Sequence, residues 1–323
     1  MPLMTKIAKT AALITALFAL SAAHACAQDF PTRPVTLVVP FSPGGQADMM
    51  ARLVQPVLSQ KLGVPVVVEN RPGAGGMVGT GAVYRSAPDG HTIMFCSDAV
   101  MVVAPLLNSD PGYVPDEMTP LTIFSESVMT LYVKPDSPVK SVADMIAYSK
   151  ANPGKLSFGT SGTALQIVGE LINQRGGARM KHIPYPGAGQ VITDVMGGHV
   201  GMGISALPGI VPYLKSDSLR VVAVTSAQRA PSLPDVETVA ETVEGVISEP
   251  WTGFFAPGGV PQPVVDKLNA ALVAAFNDPT VRQRLGDMSE KIVASTAAEA
   301  GDRLKRSKQH WTSFLADVDI PRQ

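Results

Sequence analysis

Hydrophobic positions in this chain fall in short β-branched runs that alternate with longer amphipathic stretches. The runs 35–39, 64–69 and 92–95 predict strands, with helices over 47–61 and 77–85 between them. After Pro120 the alternation resumes, with strands at 121–124, 129–133, 156–159, 180–183, 200–204 and 219–224. Helices are expected from the Ser141 cap to near Ala151, and over 163–175 and 188–196; Asn152-Pro153-Gly154 stops the first of them. A last strand at 253–256 precedes helices over 263–277, 279–288 and 297–317. In the last helix Leu304, Trp311, Leu315 and Val318 share one stripe, with Lys308 as its polar exception. Near-continuous Val/Ile runs mark parallel strands covered on both faces. The pattern is α/β: two βα sets of roughly a hundred residues each, hence two domains, with the chain returning to the first at its end.

The N-terminus follows another rule. Lys6 and Lys9 precede an apolar stretch over 11–23, followed by small residues that offer cleavage after Ala25 or Ala27. The second site leaves a mature chain starting at Gln28, so residues 1–27 are expected to be an export signal. The formal charge of -1 then becomes -1 - 2 = -3, because two lysines and no acid are lost. A lipid on Cys26 is the alternative, disfavoured by Ala23 and His24 ahead of it. No later stretch approaches the roughly 20 apolar residues of a membrane span.

This weak charge balance offers no electrostatic footprint for nucleic acid. Once Cys26 leaves, Cys96 is the one remaining thiol; set in Ile93-Met94-Phe95-Cys96, it reads as a small buried hydrophobe. The histidines are scattered, with no H-E-x-x-H and no paired cysteines, so neither a metal nor a cofactor is expected. Gly203-Ile204-Ser205-Ala206-Leu207 opens like a nucleophile elbow but has Leu207 where the second glycine belongs. Catalysis is not required by anything in the chain, although Ser161 and Ser205 would be the residues to test for a hydrolase.

Ligand sites in open α/β sheets lie beyond the carboxyl ends of the strands. The first loop there is Pro40-Phe41-Ser42-Pro43-Gly44-Gly45-Gln46-Ala47-Asp48. Its glycines let backbone approach a ligand, and the helix start after it presents free N–H groups and a positive dipole end, suited to a carboxylate. The plain alternative is a tight turn with Asp48 near a helix start. In the second half Thr160, Ser161, Gly162 and Thr163 repeat that arrangement of strand, hydroxyls, glycine and helix start. Tyr185, Gly187 and Ala188 form a third candidate wall, where Tyr185 is either an amphipathic ring for the ligand or a packed core edge. Ser97, Asp98 and Ser205 sit at strand ends that could face the same space. The glycine-rich loop 70–79 has Val78 where a dinucleotide fingerprint needs glycine, so it reads as structural or as a ligand edge, with Arg71 pairing to Glu69 or Asp48.

The chain resembles the Bug, or TctC-like, extracytoplasmic solute receptors of tripartite tricarboxylate transporters. The resemblance rests on R-P-V-T-L-V-V-P-F-S-P-G-G-Q-A-D at 33–48 and V-V-V-E-N-R-P-G-A-G-G-M-V-G at 66–79, joined by A-P-D-G-H-T-I at 87–93, H-I-P-Y-P-G at 182–187 and L-R-V-V-A-V-T-S at 219–226. It implies a periplasmic-binding-protein type II-like (Venus flytrap) fold, with residues 28–126 and 250–323 as one domain, 127–249 as the other, and two crossing strands joining them. It further implies a periplasmic, monomeric receptor that takes a small organic carboxylate to one large and one small membrane subunit; a sensor module feeding a signalling partner is the alternative. The pocket would be completed by the P-F-S-P-G-G loop, the second-domain loop and the H-I-P-Y-P-G turn. Departures fall on the pocket walls: Gln166 stands where a His is common, Gly201 replaces an Asp or Gln, and Ser97-Asp98-Ala99 replaces an S-T-H-type segment. Asp98, if it faces the cleft, would repel a second carboxylate or favour an amine.

Overall fold

The computed structural model describes residues 30–287 and 290–318. The expected export signal and Cys26 lie outside the described residues. In chain order the strands are β1 (Val35–Val39), β2 (Val66–Asn70), β3 (Thr92–Ser97), β4 (Thr119–Glu126), β5 (Met129–Val133) and β6 (Ser157–Thr160). They continue as β7 (Lys181–Pro184), β8 (Met202–Ala206), β9 (Arg220–Val224), β10 (Glu237–Thr238), β11 (Trp251–Ala256) and β12 (Lys291–Ile292). The helices are α1 (Gln46–Leu62), α2 (Met77–Tyr84), α3 (Val142–Ala151), α4 (Thr163–Gly176) and α5 (Ala188–Gly197). After them come α6 (Leu207–Lys215), α7 (Gln262–Phe276), α8 (Pro279–Asp287) and α9 (Ala297–Asp317).

Two sheets result, ordered β12-β4-β11-β3-β1-β2 and β10-β9-β5-β8-β6-β7. Side-chain alternation explains why β1 reads as a continuous apolar run: Val35, Leu37 and Val39 enter the core shared with α1 and α7, while Val38 enters the core on the opposite face. β3 divides likewise, Ile93 and Phe95 to one side and Met94 and Cys96 to the other. Cys96 is therefore buried, and burial holds its thiol well above the usual range. Neither sheet is purely parallel. The strand that enters each sheet from the other one, β5 or β11, runs antiparallel to both of its neighbours.

The two crossings run side by side. Ser127 N–H donates to Pro250 O at 2.9 Å, and Trp251 and Thr252 pair with Glu126 and Ser125. Helix α9 lies across both crossings. Its Arg303 sits 3.3 Å from a Glu126 oxygen and 3.9 Å from a Glu249 oxygen, and donates to the Glu249 carbonyl at 2.9 Å. Further along α9, His310 Nε2 is 2.7 Å from Ile247 O, and Arg175 of α4 pairs with Asp317. The predicted stripe holds: Leu304, Trp311, Leu315 and Val318 are buried, and Lys308 reaches out to Asp116.

Several elements differ from the sequence expectation. β2 starts at Val66, after Pro65, whose carbonyl accepts from Val35 N–H at 2.9 Å and whose nitrogen has no proton to give. β8 sits two positions later than expected, at Met202–Ala206. Helix α6 goes unread because Pro208 and Pro212 break its pattern; Pro208 falls in the first turn, where its missing N–H is harmless. A π-helical turn, Ala99–Val103, continues into Ala104–Leu107. Val100, Met101, Val102 and Val103 are all buried, and such an all-round apolar turn carries no helical period. Ser141 does cap α3, accepting from Asp144 N–H at 3.0 Å.

Gly169 on α4 lies against the ring of Phe158 on β6, and a Cβ there would sit 2.1 Å from Phe158 Cε2. The ring is fully buried and has nowhere to retreat. Gly169→Ala is expected to destabilise the protein by about 1–3 kcal/mol through overpacking, read as a lowered Tm in thermal unfolding. An unchanged Tm would show that the helix can lift away freely.

Candidate binding site

Between the sheets lies a cavity of about 440 Å³. Its walls come from the ends of strands: Phe41 after β1, Ser97, Asp98 and Ala99 at the end of β3, Ser161 after β6, and Ala206 at the end of β8. Two helix starts face it from different sheets. Gly45, Gln46 and Ala47 open α1; Gly162, Thr163, Ala164 and Leu165 open α4. Both helices are capped by glycine, and no side chain among the described residues caps either one. Their first N–H groups are thus free for a ligand, with the dipole's positive end behind them. Gly162 has φ +102, a conformation that strains any side chain, which is why glycine stands there.

The crossings supply the floor. Ser127, Ser248, Pro250, Trp251 and Thr252 line the cavity, together with Trp311 from α9. Gln46 is held from behind: its Nε2 donates to Glu290 Oε1 at 3.1 Å, while Ser127 Oγ donates to both Glu290 oxygens at 2.8 and 2.9 Å. Burial raises the Glu290 carboxyl, opposed by hydrogen bonds from Ser127, Ser125 and Gln46. One carboxylate thereby ties the start of α1 to the first crossing.

Asp98 is the only ionisable side chain on the cavity wall among the described residues. It is 5% exposed, and burial pushes its carboxyl up to about 7. A hydrogen bond from Ala99 N–H, the charge of Arg303, and hydrogen bonds from the Trp311 indole and Trp251 N–H act against that rise. Asp98 also borders a smaller neighbouring cavity of about 240 Å³, lined by Glu249, Arg303, Arg306 and His310 among others.

Asp48 has a different place. It lies beneath the first loop, outside the cavity wall and only 4% exposed. It accepts from Gly44 N–H at 2.9 Å, Arg52 Nε at 3.0 Å and Asn70 Nδ2 at 2.9 Å. Asn70 also donates to Phe41 O at 3.1 Å, so acid and amide together shape the loop. The Arg52 hydrogen bond holds the Asp48 carboxyl down at about 2, aided by Gly44 and Asn70 and opposed by burial. Arg71 pairs with Glu69 at 2.7 Å. The glycine loop 70–79 stays out of the cavity and packs tightly, since a Cβ on Gly79 would lie 2.6 Å from Arg71 O and 2.9 Å from Pro40 Cα.

Of the residues singled out in the sequence, the cavity wall gathers Phe41, Gly45, Ser97, Asp98, Ser161, Gly162 and Thr163. Ser42, Pro43 and Gly44 are exposed in the same first loop. Thr160 is buried against His182 Nε2 at 2.8 Å, and Ser205 is buried against Tyr132 OH at 3.0 Å. The Tyr185 hydroxyl donates to Asp194 at 2.6 Å, so this ring serves the packing edge of the second sheet. Gln166, Gly187 and Ala188 are half-buried near their helix starts and do not reach the wall. Sequence reasoning missed Met50, Leu165, Ser127, Met129, Ser248, Trp251, Thr252 and Trp311. Trp311 stood out only as a core position, and no local motif marks a crossing.

Residues 50–315 match the family described as "Tripartite tricarboxylate transporter family receptor". The chain is similar to protein BugT of Bordetella pertussis, 32% identical over 302 residues, covering 92% of this chain and 93% of that one. Among solved structures it resembles the periplasmic binding protein BugD at 32% identity and TM-score 0.76, covering 91% of this chain and 100% of the other. It also resembles Rpa4515 of R. palustris with adipate, at 30% identity and TM-score 0.78, covering 90% and 98%.

Asp48 stabilises the fold as an anion, because its folded pKa is depressed. Its contribution is complete above the ordinary value of 3.8 and is lost as the pH falls towards about 2. Asp48→Ala leaves the Gly44 N–H and one Asn70 amide donor without their acceptor. It is expected to cost about 1–3 kcal/mol at neutral pH and to flatten the loss of stability below pH 3.8. Denaturant unfolding followed against pH checks both; an unchanged acid limb would remove Asp48 as its source.

Proposed function

This chain belongs to the tripartite tricarboxylate transporter family of receptors, and from that premise we propose that it is a periplasmic receptor that captures a small organic carboxylate between its two domains and presents it to a membrane transporter. The two domains are 28–126 with 250–323, and 127–249, and they close over the ligand. The transporter partner has one large and one small membrane subunit, and the receptor passes the ligand on chemically unchanged.

The observation that carries this reading is the pair of glycine-capped helix starts, Gly45–Gln46 and Gly162–Thr163, on opposite walls of one cavity. Free backbone N–H groups and two helix dipoles favour a negative group in that gap. They are fixed by the fold, so no long cationic side chain has to be ordered on binding. Ser97, Ser127, Ser161 and Thr163 add hydroxyls that hold the carboxylate directly or through ordered water. Phe41, Met50, Met129 and Leu165 offer an apolar body its place. The adipate named with Rpa4515 belongs to the same chemical class.

A ligand bound only by the folded state raises Tm by mass action. Purified protein screened against mono-, di- and aromatic carboxylates is expected to show such a rise with at least one of them, the ligand being recovered intact. Gly45→Val fills the wall at the start of α1, where the backbone itself tolerates a side chain. It is expected to weaken binding at least tenfold, about 1.4 kcal/mol, with little change in the Tm of the free protein. Affinity equal to wild type would place the carboxylate elsewhere.

A further inference from the structure

A receptor wall built from backbone amides has little need of an acid, and a buried carboxylate beside an anionic ligand would repel it. Yet Asp98 stands on the wall of the large cavity, at the end of β3, opposite the helix starts of the second sheet. The Ala99 and Trp251 N–H groups, the Trp311 indole and the charge of Arg303 favour its ionised form. Aromatic side chains surround the same space, for Phe41, Trp251 and Trp311 all line it. An acid set among aromatic rings is the chemistry that recognises an ammonium group, by charge pairing and by the negative faces of the rings.

Resting on the carboxylate reading above, we propose that the natural ligand carries an ammonium group as well as its carboxylate, and that Asp98 is the residue that selects it. The carboxylate lies at the starts of α1 and α4, the ammonium on Asp98, and an apolar body against Phe41, Met50 and Leu165. The ligand class is an amino acid with a hydrophobic side chain. A second carboxylate would meet Asp98 where no basic side chain lines the wall among the described residues.

The pH response has a definite sign. Asp98 attracts the ammonium when ionised, so affinity is retained above about 7 and falls as the carboxyl takes up a proton below it. The other ionisable groups near Asp98 are Cys96 on β3, Glu249 on the second crossing, and Arg303, Arg306 and His310 on α9. Burial lowers His310 and holds the Cys96 thiol well above its usual value. Glu290, also raised by burial, meets the cavity only through Gln46 and Ser127.

Titration calorimetry with matched sets tests the proposal: leucine, 4-methylpentanoate and 3-methylbutylamine, then phenylalanine, 3-phenylpropanoate and 2-phenylethylamine. The amino acid of at least one set is expected to bind tenfold or more tightly than its deaminated partner at pH 8, with the ratio shrinking at pH 5.5. Asp98→Asn should remove the preference and its pH dependence, with the deaminated acid binding at least as tightly as before. Deaminated acids binding as well as the amino acids in wild-type protein would overturn the role of Asp98 but leave carboxylate capture standing. Amines binding as tightly as amino acids, with no acid bound, would keep Asp98 and overturn carboxylate capture. A preference kept by Asp98→Asn, or no binding by any member, would sink the inference. Wild-type protein alone supplies the ratio and its pH profile, so a variant that failed to fold would still leave the proposal open to refutation.

Discussion

The site depends on the two chain crossings being locked to one another. Ser127 N–H to Pro250 O, the Ser125 and Thr252 hydroxyls 3.0 Å apart, and Arg303 lying against Glu126 and Glu249 join segments more than a hundred residues apart in sequence. Each crossing leads straight into the strand that runs antiparallel in its new sheet, β5 or β11. The carboxyl ends of the parallel strands in both sheets therefore open on the same space, and the helices that follow them point their starts at each other. If the crossings slid past one another, the two helix starts would no longer share a ligand.

Helix α9 works on both sides of this arrangement. Its Trp311 is at once a core residue, a donor to Asp98 and part of the cavity wall. Its Arg303 neutralises acids from both crossings, and Arg175 of α4 grips its far end at Asp317 while stacking 5.3 Å from the Phe314 ring. A half-buried ion pair adds little net stability against a well-packed apolar contact, but it does fix geometry. Here it fixes the relation between two sheets, on which the width of the cavity rests.

Three acids near the cavity show how surroundings decide the behaviour of one functional group. Asp48 has a guanidinium and two N–H donors, and stays an anion that shapes the first loop. Glu290 meets only neutral donors on Gln46 and on serine hydroxyls, and burial wins. Asp98 has neutral donors too, with Arg303 acting on it from the neighbouring cavity, and it alone of the three faces the ligand space. An Asp–Arg contact one helical turn apart is visible in a sequence. The dielectric around a carboxylate is not.

Local pattern was enough to establish the α/β class, most strand and helix positions, and the two loops that matter. The reason is that strand burial has a period of two, helix capping is chemically specific, and a glycine before a helix start is informative without any partner. It also identified Phe41, Gly45, Ser97, Asp98, Ser161, Gly162 and Thr163 as residues at strand ends, where the cavity lies. Tertiary structure alone decided that Thr160, Ser205 and Tyr185 turn into the second lobe, and that Asp48 supports the loop from below. It alone brought Ser127, Ser248, Trp251 and Trp311 to the floor of the cavity. Those assignments depend on which distant backbone segment lies alongside, and that is set by packing between sheets rather than by the residues on either side in the chain.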